Sequence, residues 1–303
     1  MKNIVVSGSS GLIGKALCSK LSELGFNIIR LVRKKSLTND RSFFWDPMEK
    51  IIDQSAFRKA DFVVNLSGEP IAQNWNTKSK KLIYESRILG TRLIVESLKR
   101  AKSKAVLISS SGINFYGNNV GYIEEGEYSS ISGNGFLKKV CKAWELEAVE
   151  LEKSAQNNRV VLLRTGVVLS MKGGALKRML PPFRMGLGGP VGNGYQLMSW
   201  IELNDLVKII LYAINEDISG PINAVAPQPV ENRLFSQILA KEISRPSFLP
   251  MPEWAVKILF GEMARETILA NIGITPRVLS NLGFRWDFPT LESALKKALL
   301  NGK

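Results

Sequence analysis

A chain of 303 residues, 45% hydrophobic and 22% charged, can bury a sizeable core and has the composition of a globular protein. It contains no histidine, which removes histidine triads, histidine acid–base pairs and most zinc sites. The net charge of +14 could suit nucleic acid, but the lysines are scattered and show no aromatic interleaving or recognition motif, so nucleic-acid binding is not expected.

In chain order, Ile4-Val5-Val6 reads as a short buried strand, followed by Gly8, Ser9, Ser10, Gly11, Leu12, Ile13 and Gly14. Strand, glycine turn and helix in that order form the context of a dinucleotide-binding fingerprint, here spaced G-x-x-G-x-x-G. Gly8 allows a sharp turn, Gly11 allows close approach to a pyrophosphate, and Gly14 lets the helix pack on the strand. The phosphates would sit on free N–H groups at the helix N-terminus. The apolar run breaks at Ser7, too short for a signal peptide or a membrane span. Cys18 and Cys141 are the only cysteines and suit a reducing compartment, so a cytoplasmic protein without a membrane anchor is expected.

Further strands are predicted at Asn27–Val32, Phe62–Leu66, Ala105–Ser109 and Val160–Thr165, with helices at Gly14–Leu24, Ser79–Ala101 and Phe136–Lys153. Alternation of this kind predicts an α/β fold, a doubly wound parallel sheet. Beyond Ser170 the texture changes. Gly186–Gly194 carries five glycines in nine residues and reads as a flexible loop, a candidate mobile cover. Ser199-Trp200-Ile201 reads as a strand, Leu203–Asn215 as a helix, and the proline-punctuated remainder as mainly helical. Residues 1–170 are expected to form a nucleotide-binding domain to which 196–225 return. Residues 171–303 would form a smaller, mainly helical C-terminal domain on the substrate side.

Asn65-Leu66-Ser67-Gly68 resembles the N-x-[A/S]-G motif of short-chain dehydrogenases/reductases. Ser109-Ser110-Ser111 with Tyr116-Gly117 resembles the S-S-x-x-x-Y-G signature of their extended branch, the NAD(P)-dependent epimerases and dehydratases. The phrases Asn65–Ile71, Phe136–Glu145, Gly186–Gly194, Gln196–Ile201, Asn223–Val230 and Gly261–Ala264 are similar to the atypical subfamily labelled "epimerase family protein". Some members of that subfamily carry a cell-division-inhibitor-like label. Where the group usually has His after S-W-I, this chain has Glu202.

The resemblance implies a Rossmann-like nucleotide domain of the extended reductase type. Arg33 and Lys34 follow the second strand, where an NAD site would carry an acid about 20 residues past the glycines. A cationic pair suits a 2′-phosphate, so NADP is the expected cofactor. Leu66, Ser67, Gly68 and Glu69 would border its adenosine half. Glu69 has a second reading, as the cap of a helix beginning after Pro70. Arg164-Thr165-Gly166 would lie near the nicotinamide, or Arg164 would be a buried structural residue.

Extended reductases place Tyr and Lys four residues apart on one helix face. Two frames locate that helix here, giving Leu137 with Cys141 or Phe136 with Val140, so neither supplies the pair. Lys138, Lys139 and Lys142 point about 100° or more away from that face. Ser111 and Tyr116 remain as candidate catalytic residues, Ser111 polarising the substrate and Tyr116 exchanging the proton, with Tyr116 equally readable as a packing aromatic. Cys141 on an apolar face reads as an inert buried thiol. The expected function is an NADP(H)-dependent oxidoreductase or epimerase acting on an unidentified small molecule. A non-catalytic NADP(H)-binding regulator, linked to cell division, is the alternative.

Overall fold

The computed structural model describes residues 1–124, 126–129 and 133–300, so the last three residues of the expected C-terminal domain lie outside the described residues. Its first half runs β1 (Asn3–Ser7), α1 (Leu12–Glu23), β2 (Asn27–Val32), β3 (Ser42–Asp46), β4 (Ile51–Ile52) and β5 (Phe62–Asn65). Then come α2 (Thr77–Arg100), β6 (Val106–Gly112), β7 (Gly121–Ile123), α3 (Phe136–Val149) and β8 (Val160–Thr165). The second half continues with β9 (Val167–Leu169), α4 (Gly174–Arg184), β10 (Leu197–Met198), β11 (Trp200–Glu202), α5 (Leu203–Asn215) and β12 (Gly220–Ala224). It closes with β13 (Val230–Glu231), α6 (Asn232–Glu242), α7 (Glu253–Glu266), β14 (Ile272–Ile274), α8 (Arg277–Asn281) and α9 (Leu291–Leu300).

Eight strands form the main sheet in the order β12-β8-β6-β5-β1-β2-β3-β4. Every pairing is parallel except β3 with β4 at the edge. Side chains alternate across a strand, and here both faces are covered, so β1 is apolar throughout. Ile4 and Val6 join Leu17, Leu21, Leu206 and Ile210 beneath α1 and α5. Val5 joins Val63, Ile94, Leu98 and Ala148 beneath α2 and α3. The sheet is therefore doubly wound, a Rossmann-like arrangement. The strand order reverses at β1, which has β2 on one side and β5 on the other. A crevice above the carboxyl ends of the strands at such a reversal is where open α/β sheets bind ligands.

β3 lies outside the strands predicted from the sequence, and its Trp45 is buried against Gly90 of α2. In the second half, α5 and β12 return to the main sheet. α4, α6 and α9 instead bury Leu176, Leu180, Phe235, Leu239 and Leu295 with Trp200. A second sheet, β13-β10-β14-β7, recruits β7 from the first half. Among the described residues, no helix is long and apolar enough to cross a membrane.

The glycine-rich segment 186–194 is pinned down, contrary to its reading as a flexible loop. Val191 pairs with Met251, the Gly192 N–H donates to the Met251 carbonyl at 2.9 Å, and the Val191 N–H donates to Asn232 Oδ1 at 2.7 Å. A Cβ on Gly189 would stand 2.0 Å from the Leu249 carbonyl oxygen, and one on Gly188 would stand 2.3 Å from the Phe183 ring. Close packing accounts for Gly188 and Gly189, and a positive φ for Gly186, Gly192 and Gly194.

Candidate functional site

The turn after β1 is built to leave a space. Gly8 has φ +68°, and a Cβ there would lie 2.7 Å from the Leu66 carbonyl oxygen, so glycine alone fits. A Cβ on Gly14 would stand 2.2 Å from the Gly8 carbonyl oxygen, which is how α1 presses onto the turn. Gly11 differs. Its φ is −74°, it is exposed, and an added Cβ would meet only the Gly8 carbonyl oxygen, at 3.3 Å. Apart from that one close contact, which the Gly8 carbonyl would have to relieve by a few tenths of an ångström, no other protein atom lies within 4 Å of the Cβ position, so the space above Gly11 is open to another molecule.

The Gly11 N–H closes the turn on the Gly8 carbonyl at 3.0 Å. The first turn of α1 has neither a side-chain cap nor an acidic residue. Its leading N–H groups, from Leu12 and Ile13, are therefore directed at whatever occupies that space, with the helix dipole favouring an anion. Ser9 and Ser10 edge the same turn, half-buried and exposed respectively. A pyrophosphate fits this cradle.

Arg33 and Lys34 are exposed directly beyond β2. A third cation, Arg30, lines a shallow cleft with Ser9, Lys15 and Cys18. Sequence reasoning missed it because it sits inside a strand. The Cys18 thiol beside it is pushed up by burial, with Arg30 opposing the shift.

Asn65 ties the cradle to the loop after β5. Its Oδ1 accepts from Ser7 Oγ at 2.6 Å and Ser67 Oγ at 2.9 Å, and its Nδ2 donates to Thr91 Oγ1 at 2.9 Å. This holds Leu66, Ser67, Gly68 and Glu69 at the carboxyl edge of the sheet, next to Gly8. The helix-cap reading of Glu69 does not hold. α2 starts at Thr77 and is capped by a reciprocal Asn76–Ser79 box, while the Glu69 N–H donates to Ser86 Oγ at 3.0 Å.

The end of β6 brings Ser111 to α3. Ser111 Oγ donates to Glu145 Oε1 at 2.7 Å, and Glu145 accepts a two-bond fork from Arg164. Arg164 Nη1 donates to the Tyr116 hydroxyl at 2.9 Å, and that hydroxyl donates to Asn223 Oδ1 at 2.8 Å. The Asn223 N–H donates onward to Glu127 Oε1 at 2.6 Å. Arg164 also lies 3.5 Å from the centre of the Phe115 ring. The chain joins β6, α3, β8 and β12, and it places Arg164 as a buried structural residue. Burial raises the Glu127 carboxyl, and it pushes the Tyr116 hydroxyl up to about 12 against the opposing pull of Arg164.

Ser111 and Tyr116 thus meet the same network, but not as a pair facing an open cleft. Tyr116 is 0% exposed and its hydroxyl is engaged on both sides, so its geometry is that of an anchor and not of a proton donor to a small molecule. Leu137, Val140 and Cys141 are buried on α3. The Cys141 thiol rises to about 11, first through burial and then through Glu145, which marks it as inert. Trp144 donates its indole N–H to Thr91 Oγ1 at 2.8 Å. Glu202, at the position where the subfamily carries His, caps α5 by accepting from the Asn204 and Asp205 N–H groups.

The sequence matches the model of the NAD dependent epimerase/dehydratase family over residues 4–225, and a domain of unknown function (DUF1731) over residues 251–298. It is 38% identical to an epimerase family protein of Mycobacterium bovis, across 96% of each chain. The structure is similar to that of human epimerase family protein SDR39U1 (isoform 2) with NADPH, with a TM-score of 0.87, 30% identity and 99% of each chain covered. It shares its fold with UDP-glucose 4-epimerase of Thermotoga maritima, at 18% identity and a TM-score of 0.76. With one family model spanning most of its length and a relative this similar from end to end, the chain belongs to the NAD dependent epimerase/dehydratase family.

Proposed function

We propose that the protein is an NADP(H)-dependent oxidoreductase or epimerase of the extended short-chain reductase type, acting in the cytoplasm on a small molecule. The observation that carries this reading is the cradle of Gly8, Gly11 and Gly14, with its open space above Gly11 and an uncapped α1. The cations Arg33 and Lys34 at the end of β2 favour the 2′-phosphate of NADP over the free ribose hydroxyl of NAD. The likeness to the human protein with NADPH supports the same choice. Residues 1–170 with 196–225 would hold the cofactor, and the rest of 171–303 would cover the substrate side.

The cofactor, when bound, supplies the hydride chemistry. Leu12 and Ile13 N–H groups would hold its phosphates, and the loop Leu66–Glu69 would flank its adenosine half. Ser111 already donates its proton to Glu145, so towards a substrate its oxygen serves as an acceptor for a hydroxyl. Tyr116 keeps Arg164 and Asn223 in place.

The absence of a Tyr–Lys pair on α3, whether its positions are Leu137 and Cys141 or Phe136 and Val140, favours the second reading, a non-catalytic NADP(H)-binding regulator. Incubation with NADPH and a panel of oxidised metabolites, and with NADP+ and the corresponding hydroxyl compounds, followed by nicotinamide absorbance, separates the two. Turnover that falls in Ser111→Ala supports the enzyme. No turnover of any metabolite, with NADPH bound tightly, supports the regulator.

A further inference from the structure

One face of the C-terminal half leaves large apolar side chains uncovered. The glycine segment 186–194 runs beside residues 246–251, for a Cβ on Gly186 would lie 3.7 Å from Pro246 Cγ and Val191 pairs with Met251. Met185 and Leu187 are thereby brought next to Phe248, and all three are exposed, Phe248 to 73%. α7 starts directly after this strip. Over residues 253–260 only Val256 is buried. Trp254 is 66% exposed and Ile258, one turn along, 75%. Leu259, about 100° further round the helix, is exposed as well.

This segment is held from one end. Gly261, with φ +58°, breaks α7, and beyond the break the helix is anchored. Glu262 pairs with Lys80, and Glu266 accepts from the Phe136 and Leu137 N–H groups. Residues 253–260 therefore keep a fixed position although little covers them.

The surroundings carry positive charge. Between residues 171 and 195 the chain has Lys172, Lys177, Arg178 and Arg184 and no acidic residue, and Arg245 is the only charge between 243 and 252. Lys177, Arg184 and Arg245 are exposed, and among the described residues none of them forms an ion pair. The acids of α7 are all engaged, Glu253 with Lys257 and the other two in the anchor.

We infer that this face, formed by the end of α4, the strip 246–251 and the first half of α7, binds the surface of an anionic lipid bilayer. Phe248, Trp254 and Ile258 would enter the headgroup region, and Arg184 and Arg245 would meet lipid phosphates. Apolar side chains within a cationic rim match both parts of such a surface. Trp suits the boundary itself, because its ring is apolar and its N–H polar. A two-fold contact with a second copy would instead set one cationic rim against another. A folded partner covers one side of a helix, whereas Trp254, Ile258 and Leu259 spread over a wide arc. The binding is peripheral, so it needs no spanning helix.

Sedimentation of the full chain with vesicles tests this. Wild type is compared with Trp254→Ser combined with Ile258→Ser, and with Arg184→Ser combined with Arg245→Ser. The vesicles are phosphatidylcholine alone, or phosphatidylcholine with an equal part of phosphatidylglycerol. Wild type is expected to bind the anionic vesicles about tenfold more tightly than the neutral ones, and less tightly as salt is added. Each double variant should bind the anionic vesicles about tenfold more weakly, with Tm and NADPH affinity unchanged. No preference of wild type for anionic vesicles, or binding that survives in either double variant, overturns the inference. If wild type then sediments as a dimer that the Trp254→Ser and Ile258→Ser pair breaks, the face belongs to a second copy.

Discussion

Arg164 and Glu145 meet in a two-bond fork, Nε to Oε1 and Nη2 to Oε2, each 2.9 Å long. Their side chains are only 6% and 7% exposed. The pair bolts α3 to β8 beside Ser111, the last residue but one of β6, so the position of the candidate site depends on a charge pair in the interior.

Removing one partner of such a pair strands the other. Glu145→Ala should therefore destabilise the fold by about 3–5 kcal/mol, because the Arg164 guanidinium would be left buried without its carboxylate. Urea unfolding checks this, and a loss below about 1 kcal/mol would show that water or a rearranged neighbour compensates.

Glu202 gives the fold a pH dependence of defined sign. Burial raises its carboxyl to about 6 from a reference value of 4.5, against the lowering effect of the Asn204 and Asp205 N–H groups. The protonated form is thus favoured in the folded state. Its contribution to stability is fully present below about 4.5 and is lost as pH rises through about 6. Asp205, also raised by burial, acts in the same sense. Glu202→Gln should gain about 2 kcal/mol on wild type between pH 4 and pH 7.5 in chemical denaturation. A stability difference that stays flat across this range would show that Glu202 is ionised at little cost.

Arg33 should govern the choice of cofactor. It is exposed at the end of β2, where its guanidinium can reach a 2′-phosphate but has no role in packing. Arg33→Glu is expected to weaken NADPH binding at least tenfold, with NADH affinity and Tm nearly unchanged. Equal losses for both nucleotides would mean that the residue acts through the general field and not through the 2′-phosphate.

Most of the main sheet was legible because its strands are short β-branched runs between helical patterns. Ile4–Val6 and Val63–Val64 have one reading only, buried on both faces. β3 was not legible. Its apolar Phe43, Phe44 and Trp45 stand among turn-forming residues, and it is pairing with β2, with Trp45 buried against α2, that makes them a strand. The glycines of 186–194 misled because composition reports freedom of the backbone, whereas Gly188 and Gly189 are required by the nearness of Phe183 and Leu249.

Tyr116 kept two readings in the sequence for a related reason. A tyrosine beside a glycine after a strand looks available, and only the fold puts Arg164 and Asn223 on either side of it. Arg87 of α2 was not singled out in the sequence although it is buried. It falls on the apolar stripe of α2 between Ile83 and Ile94, where a charge needs a reason.

The central claim, that the β1–α1 turn binds a dinucleotide, is tested most directly at Gly11. NADPH is titrated by nicotinamide fluorescence into wild type and Gly11→Val, with Tm recorded for both. The account predicts that wild type binds NADPH more tightly than NADH. It also predicts that Gly11→Val loses NADPH binding with only a small change in Tm, because φ is −74° and the one protein atom within 4 Å of an added Cβ is the Gly8 carbonyl oxygen, at 3.3 Å. Wild-type affinity for NADPH in Gly11→Val would contradict the account and place the phosphate site elsewhere in the chain.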